Sequence, residues 1–195
     1  MKRVIQRVVH SNTPGLRMGR YIIKYSQWCC LYLFYRRNCM YFSLIDRIES
    51  LEPGQTVVAT KSLSMAEEYL KDHFPNFPVM PGVLMLEALT QASAWLVRVS
   101  DDFSHSMVVL KEAKNVKYGK FVQPGQTIRI TSTIVGQTEN LTTLKAEGNM
   151  DGQVNLRAQL TLCRYNLADL SPDKSATDKK IVEALKNRLT LLWNC

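Results

Sequence analysis

GVLMLEALTQASAWLVR, residues 82–98, decides the architecture. Good helix formers run through it without a break, Pro81 suits the first turn, and apolar side chains surround almost the whole cylinder. A helix of that kind belongs inside a protein, enclosed by other elements. Downstream the hydrophobic period changes from helical to alternating. QTIRITSTIV (126–135) sets Ile128, Ile130 and Ile134 against Thr127, Arg129, Thr131 and Thr133. VNLRAQLTL (154–162) sets Val154, Leu156, Ala158, Leu160 and Leu162 against Arg157, Gln159 and Thr161. Both read as half-buried strands. LTTLKAEGNM (141–150) is a further strand between them, with Asp151-Gly152 as a hairpin turn, and MVVLKEAKNVKYGKFV (107–122) is another ahead of the Pro124-Gly125 turn. Upstream, TVVATKSL (56–63) is rich in β-branched residues and MAEEYLKDHF (65–74) suggests a short helix. The sum is an α+β plan in which a curved antiparallel sheet wraps one long buried helix.

At 195 residues the chain suits one globular domain with modest appendages. Its net charge of +8 is not spread evenly. Residues 1–40 carry eight basic and no acidic side chains, so residues 41–195 balance 17 against 17. A nucleic-acid partner inferred from total charge would rest on the first forty residues alone, and none is expected. That basic extension also holds three of the five cysteines, Cys29, Cys30 and Cys39. An organellar transit peptide, a poor secretory signal, or a true start at Met40 with a gene-start error or a disordered extension upstream all fit it, and the last is preferred because the composition breaks beside a methionine. The apolar stretch from Tyr21 to Tyr35 is interrupted and too short to span a bilayer, so no stable membrane insertion is expected. Cys163 and Cys195 form no metal-like spacing, which points to a reducing, cytoplasmic setting. The expected organisation is an extension over 1–40, the α+β body over 41–165, and a tail over 166–195. In the tail a polar linker leads into an amphipathic helix with Val182, Leu185, Leu189 and Leu192 on one face, packed on the body or on a partner.

Three features of the body carry chemistry. Glu87 interrupts the greasy helix and shares a face with Thr90 and Gln91. A buried carboxyl either finds a partner or stays protonated, and a protonated glutamic acid is a proton donor. Satisfaction by Gln91 or a backbone group, with no chemistry, is the plainer alternative. His73, one of two histidines in the body with His105, opens HFPNFPVMPGV, where three prolines restrict the backbone. Imidazole is the usual general base, although a structural histidine also fits a loop. Gly82 lies in the first helical turn, where N–H groups lack intrahelical acceptors and can hold an oxyanion. A base, an acid and an oxyanion donor together suit proton abstraction beside a carbonyl and loss of a protonated leaving group.

DHFPNFPVMPGVLMLEALTQASAWL (72–96) resembles the signature of the 3-hydroxyacyl-acyl-carrier-protein dehydratases, hot-dog-fold enzymes of fatty acid synthesis. The likeness runs from about Leu44 to Leu162 and includes LIDRI, PGQ, TKSLSMAEEYL, FVQPGQT and NMDGQV. It implies that the residue at His73 takes the α-proton of a 3-hydroxyacyl thioester and that the residue at Glu87 protonates the departing hydroxyl. The Gly82 N–H would polarise the carbonyl, Gln91 would hold Glu87, and Val83 and Leu110 would line the substrate. It further implies an acyl carrier protein as partner and no metal or organic cofactor. The active site would be a homodimer site, with His73 of one subunit facing Glu87 of the other, in dimers that often assemble into hexamers. Glutamate at position 87 favours the branch that dehydrates without isomerising. Asp72 and Asn76 stand where the family usually has glycines, Leu110 where an aromatic gate is common, and Lys120-Phe121 where Arg-Pro precedes the turn. These departures bear on chain length and catalytic strength. A hot-dog acyl thioesterase and a non-catalytic acyl-thioester-binding paralogue are the alternatives. Lys111, Lys114, Lys117 and Lys120 read either as a docking patch for an acidic carrier or as a solvated strand edge. Their spacing would split them between the faces of an extended strand.

Overall fold

The computed structural model describes residues 42–193; residues 1–41, which include the N-terminal extension, and 194–195 lie outside the described residues. Among the described residues six strands form one antiparallel sheet: β1 (Arg47–Glu52), β2 (Thr56–Ser62), β3 (Met107–Tyr118), β4 (Thr127–Gln137), β5 (Leu141–Met150) and β6 (Gln153–Tyr165). Their spatial order is β1-β2-β4-β5-β6-β3, so β1 and β3 are the edges. Helix α1 (Gly82–Ser100) packs across β2, β3, β4, β5 and β6. Its contact face is fixed by the inward residues of the alternating runs. Ile128, Ile130, Leu144, Ala146, Leu156, Leu160 and Leu162 are all buried against Leu86, Leu89, Ala92 and Leu96. At the β5–β6 hairpin Asp151 and Gly152 both have positive φ, the backbone that a two-residue primed turn requires.

The structure alters several expectations. LIDRIESLE contributes the edge strand β1, with Ile48 and Leu51 both buried although three residues apart, because the register shifts between Ile48 and Ser50. Within MAEEYLKDHF the expected short helix is a four-residue 3-10 helix over Glu68–Lys71 rather than an α-helix. Helix α1 is not enclosed all round: Val83 is 55% exposed, and Glu87 and Gln91 share its open stripe, partly covered. Lys114 and Lys117 do not fall on opposite faces. Lys114 pairs with Gln159 and Lys117 with Arg157, two positions apart on β6, because an irregularity between them resets the alternation. All four lysines are exposed, three on edge strand β3 and Lys120 just past it.

The tail is also more ordered than a linker. Helix α2 starts at Ser175 and runs to Trp193, packing on β1 with Ile181 and Leu192 buried and Val182, Leu185 and Leu189 partly so. Its first turn is polar yet anchored. Asp178 is buried, accepts a short hydrogen bond from Ser106, and accepts the Leu167 and Ala168 N–H groups at 2.9 Å each. Burial alone would raise this carboxyl, but the Ser106, Ala168 and Leu167 bonds together hold it below its ordinary value. A depressed folded value means stability that is present above the unfolded value and lost as pH falls through the folded one. Asp178→Asn is therefore expected to cost about 1–3 kcal/mol near neutrality, and the melting-temperature gap to wild type should close in strong acid. A gap unchanged by acid would refute this anchoring.

Candidate active site

The segment between the 3-10 turn and α1 is held by its own main chain. Phe74 and Phe77 exchange N–H···O bonds of 3.1 and 3.0 Å, Val79 N–H donates to the His73 carbonyl at 3.0 Å, and Met80 N–H reaches Val122 at 2.9 Å. Pro75, Pro78 and Pro81 remove alternatives and leave no stray donors. Inside this frame His73 Nδ1 lies 3.0 Å from the Val79 carbonyl, and its ring stacks on Phe74 with centroids 4.2 Å apart. A carbonyl can only accept, so Nδ1 carries the hydrogen of the neutral imidazole and Nε2 keeps a lone pair. Asp72 is exposed.

The same segment delivers Pro81 as N-cap and Gly82 as the first residue of α1. Leu84 and Met85 N–H groups bond back to Pro81, whereas no acceptor among the described residues meets the Gly82 or Val83 N–H. Two donors at the positive end of the helix dipole are thus available to an oxygen. A Cβ at position 82 would sit 3.0 Å from Tyr118 Cε1, so glycine is what lets that ring close against the helix start.

One turn further, Glu87 lies on the partly open stripe. Burial pushes its carboxyl above the usual value, against the opposing pull of the Gln91 hydrogen bond. Gln91 Nε2 donates to Glu87 Oε1 at 3.1 Å. The geometry therefore brings Gln91 to Glu87, and His73 to Val79 beside the Gly82 turn. Within the chain no hydrogen bond joins His73 to Glu87. Leu110 is partly buried against the core on β3, paired with Leu162. Around the helix start Phe74, Phe77, Val83, Tyr118 and Phe121 form an exposed apolar rim, with Phe77 and Phe121 edge to face at 6.0 Å.

Sequence reasoning missed Lys61. The alternation of Val57, Ala59 and Lys61 points it inward, and an inward lysine needs a partner. It finds Glu67 at 2.6 Å, the N-cap of the turn ahead of His73, with Asp46 at 3.6 Å. Beside this pair the Tyr69 phenol is driven upward by burial and then by the Glu67 and Asp46 charges.

Among the described residues no helix is long and apolar enough to cross a membrane. Residues 38–159 match the family model described as FabA-like domain. The chain is 36% identical over 117 residues to the 3-hydroxyacyl-[acyl-carrier-protein] dehydratase FabZ of Levilactobacillus brevis, covering 60% of this chain and 79% of that protein. It is 31% identical over 136 residues to FabZ of Pediococcus pentosaceus, covering 70% and 85%. Among solved structures, the dehydratase heterocomplex ApeI:P from Xenorhabdus doucetiae superposes with a TM-score of 0.54 at 17% identity, over 68% of this chain and 89% of that one. The acetyl-CoA-bound smu.793 protein of Streptococcus mutans gives 0.50 at 18% identity, over 67% and 95%. At those identities the two structures speak for the fold, which is the hot-dog fold expected from the sequence. With its sheet wrapped about α1 and its family match spanning most of the described body, this chain belongs to the FabA-like domain family.

Proposed function

We propose that this protein is a hydro-lyase that converts 3-hydroxyacyl groups on acyl carrier protein to trans-2-enoyl groups in fatty acid biosynthesis. His73 Nε2 takes the α-proton, the Cα electron pair forms the double bond, and the C3–O bond breaks as Glu87 gives its proton to the departing oxygen, which leaves as water. The Gly82 N–H holds the thioester oxygen as negative charge develops, with Val83 and Leu110 against the acyl chain. Proton return from His73 to Glu87 restores the site. The observation that carries this reading is the Nδ1 bond to Val79, which leaves Nε2 as the ring's free base. The similar FabZ proteins bear the name of the same reaction.

In this reading the site is completed by a second copy, which supplies Glu87 opposite His73, in a homodimer that can assemble further. The edge position of β3 and the open stripe of Val83 and Glu87 support such a contact. The free Cys163 fits a reducing, cytoplasmic compartment. Incubation with a 3-hydroxyacyl carrier protein tests the reading by product mass. Loss of water is expected; a free acid would instead show a thioesterase, and binding without turnover a non-catalytic paralogue.

A further inference from the structure

The side-chain amide of Gln91 has one orientation open to it. Leu44 N–H can only donate, so the Gln91 atom 2.8 Å from it is the carbonyl oxygen Oε1. Nε2 then faces the Phe42 carbonyl at 3.2 Å and Glu87 Oε1 at 3.1 Å, and both of its hydrogens are committed. Without the main chain at 42–44, either end of the amide could meet Glu87, and an oxygen there would accept the acid's proton.

We propose that the main chain of Phe42–Leu44, just ahead of β1, is a positioning element for the acid: it orients Gln91 so that an N–H meets Glu87 Oε1 and the transferable proton resides on Oε2. The proposal rests on Glu87 being the acid. Oε1 is occupied as an acceptor, whereas Oε2 has no hydrogen-bond partner among the described residues. The segment itself is irregular and is fixed by burial of Leu44 and Ile45, each about 1% exposed. Its N–H is therefore held rigidly, as a group that sets another's orientation must be.

The direct test replaces the Leu44 amide by an ester in the full chain, by incorporating the α-hydroxy analogue of leucine, which removes the N–H and keeps the side chain. Turnover (kcat) should fall tenfold or more, on the order expected for a misplaced catalytic group, with KM unchanged. Gln91→Met has no amide to orient; it should itself lower kcat, and adding the ester should cost nothing further. An ester without effect in the wild-type chain, or one costing the same factor in both backgrounds, overturns the proposal. If Glu87→Gln is inactive while the ester is harmless, the positioning is refuted and the acid stands. If Glu87→Gln is active, the acid itself is refuted.

Discussion

His73→Ala and Glu87→Gln should each lower turnover of a 3-hydroxyacyl carrier protein by about 10²–10⁴-fold, the range general acid–base groups contribute. The two losses should differ in kind. Removing His73 removes the proposed base, while the fold keeps its backbone ties at Val79 and Met80. Replacing Glu87 leaves a side chain of equal size that can still accept from Gln91, so substrate binding should persist while water loss stops. The pH dependence has a definite sign: as the proposed acid Glu87 must be protonated, so activity should fall as pH rises through its raised value. The same shift acts on stability. A carboxyl whose folded value lies above its unfolded one contributes stability in acid and loses it as pH climbs through the folded value. Glu87→Gln, free of that penalty, should thus be inactive yet at least as stable as wild type above neutrality. Thermal melts beside the kinetics check this, and a variant that is both inactive and markedly less stable would contradict it.

The largest stability effect is expected far from that chemistry. Arg164 is 4% exposed and ties three elements together. Its Nη1 meets Asp101 at 2.5 Å, its Nη2 donates to the Thr138 and Glu139 carbonyls, and its own N–H reaches Asn140 at 2.9 Å. Asp101 is the C-cap of α1 and also accepts from Gln137, so the cluster fastens the helix end to the β4–β5 turn. Arg164→Met should cost about 3–5 kcal/mol, because it takes the arginine from a largely buried carboxylate and leaves Asp101 with only Gln137 and, at 3.6 Å, His105. Adding Asp101→Asn should recover part of the loss, since the buried charge deprived of its arginine is then gone. Chemical denaturation measures both, and a single-variant loss under about 1 kcal/mol would contradict the assignment.

Much of the fold was legible because one signal sufficed where a face is uniformly apolar. LTTLKAEGNM runs over the bounds of β5, and the buried helix was set by its composition. What escaped depended on contacts distant in sequence. β1 was hidden because its register shift breaks the alternation of Ile48 and Leu51, and the start of α2 because its first turn is anchored by the polar Asp178. The two sides of Lys114 and Lys117 were misjudged for the same reason: an irregular register rotates the strand between them. Spacing singled out His73, Gly82, Glu87 and Gln91 as candidates, but not Lys61, which turns inward to meet Glu67 across a turn, or the main chain at 42–44, which meets Gln91 from far along the chain.

The central claim is that an imidazole from one copy and a carboxyl from another work on one acyl chain. Mixing separately inactive His73→Ala and Glu87→Gln subunits, under conditions that let them exchange, tests it most directly. Each mixed dimer would hold one intact site, so random pairing should restore about a quarter of wild-type activity. A mixture that exchanges subunits yet stays as inactive as its parents would contradict the account.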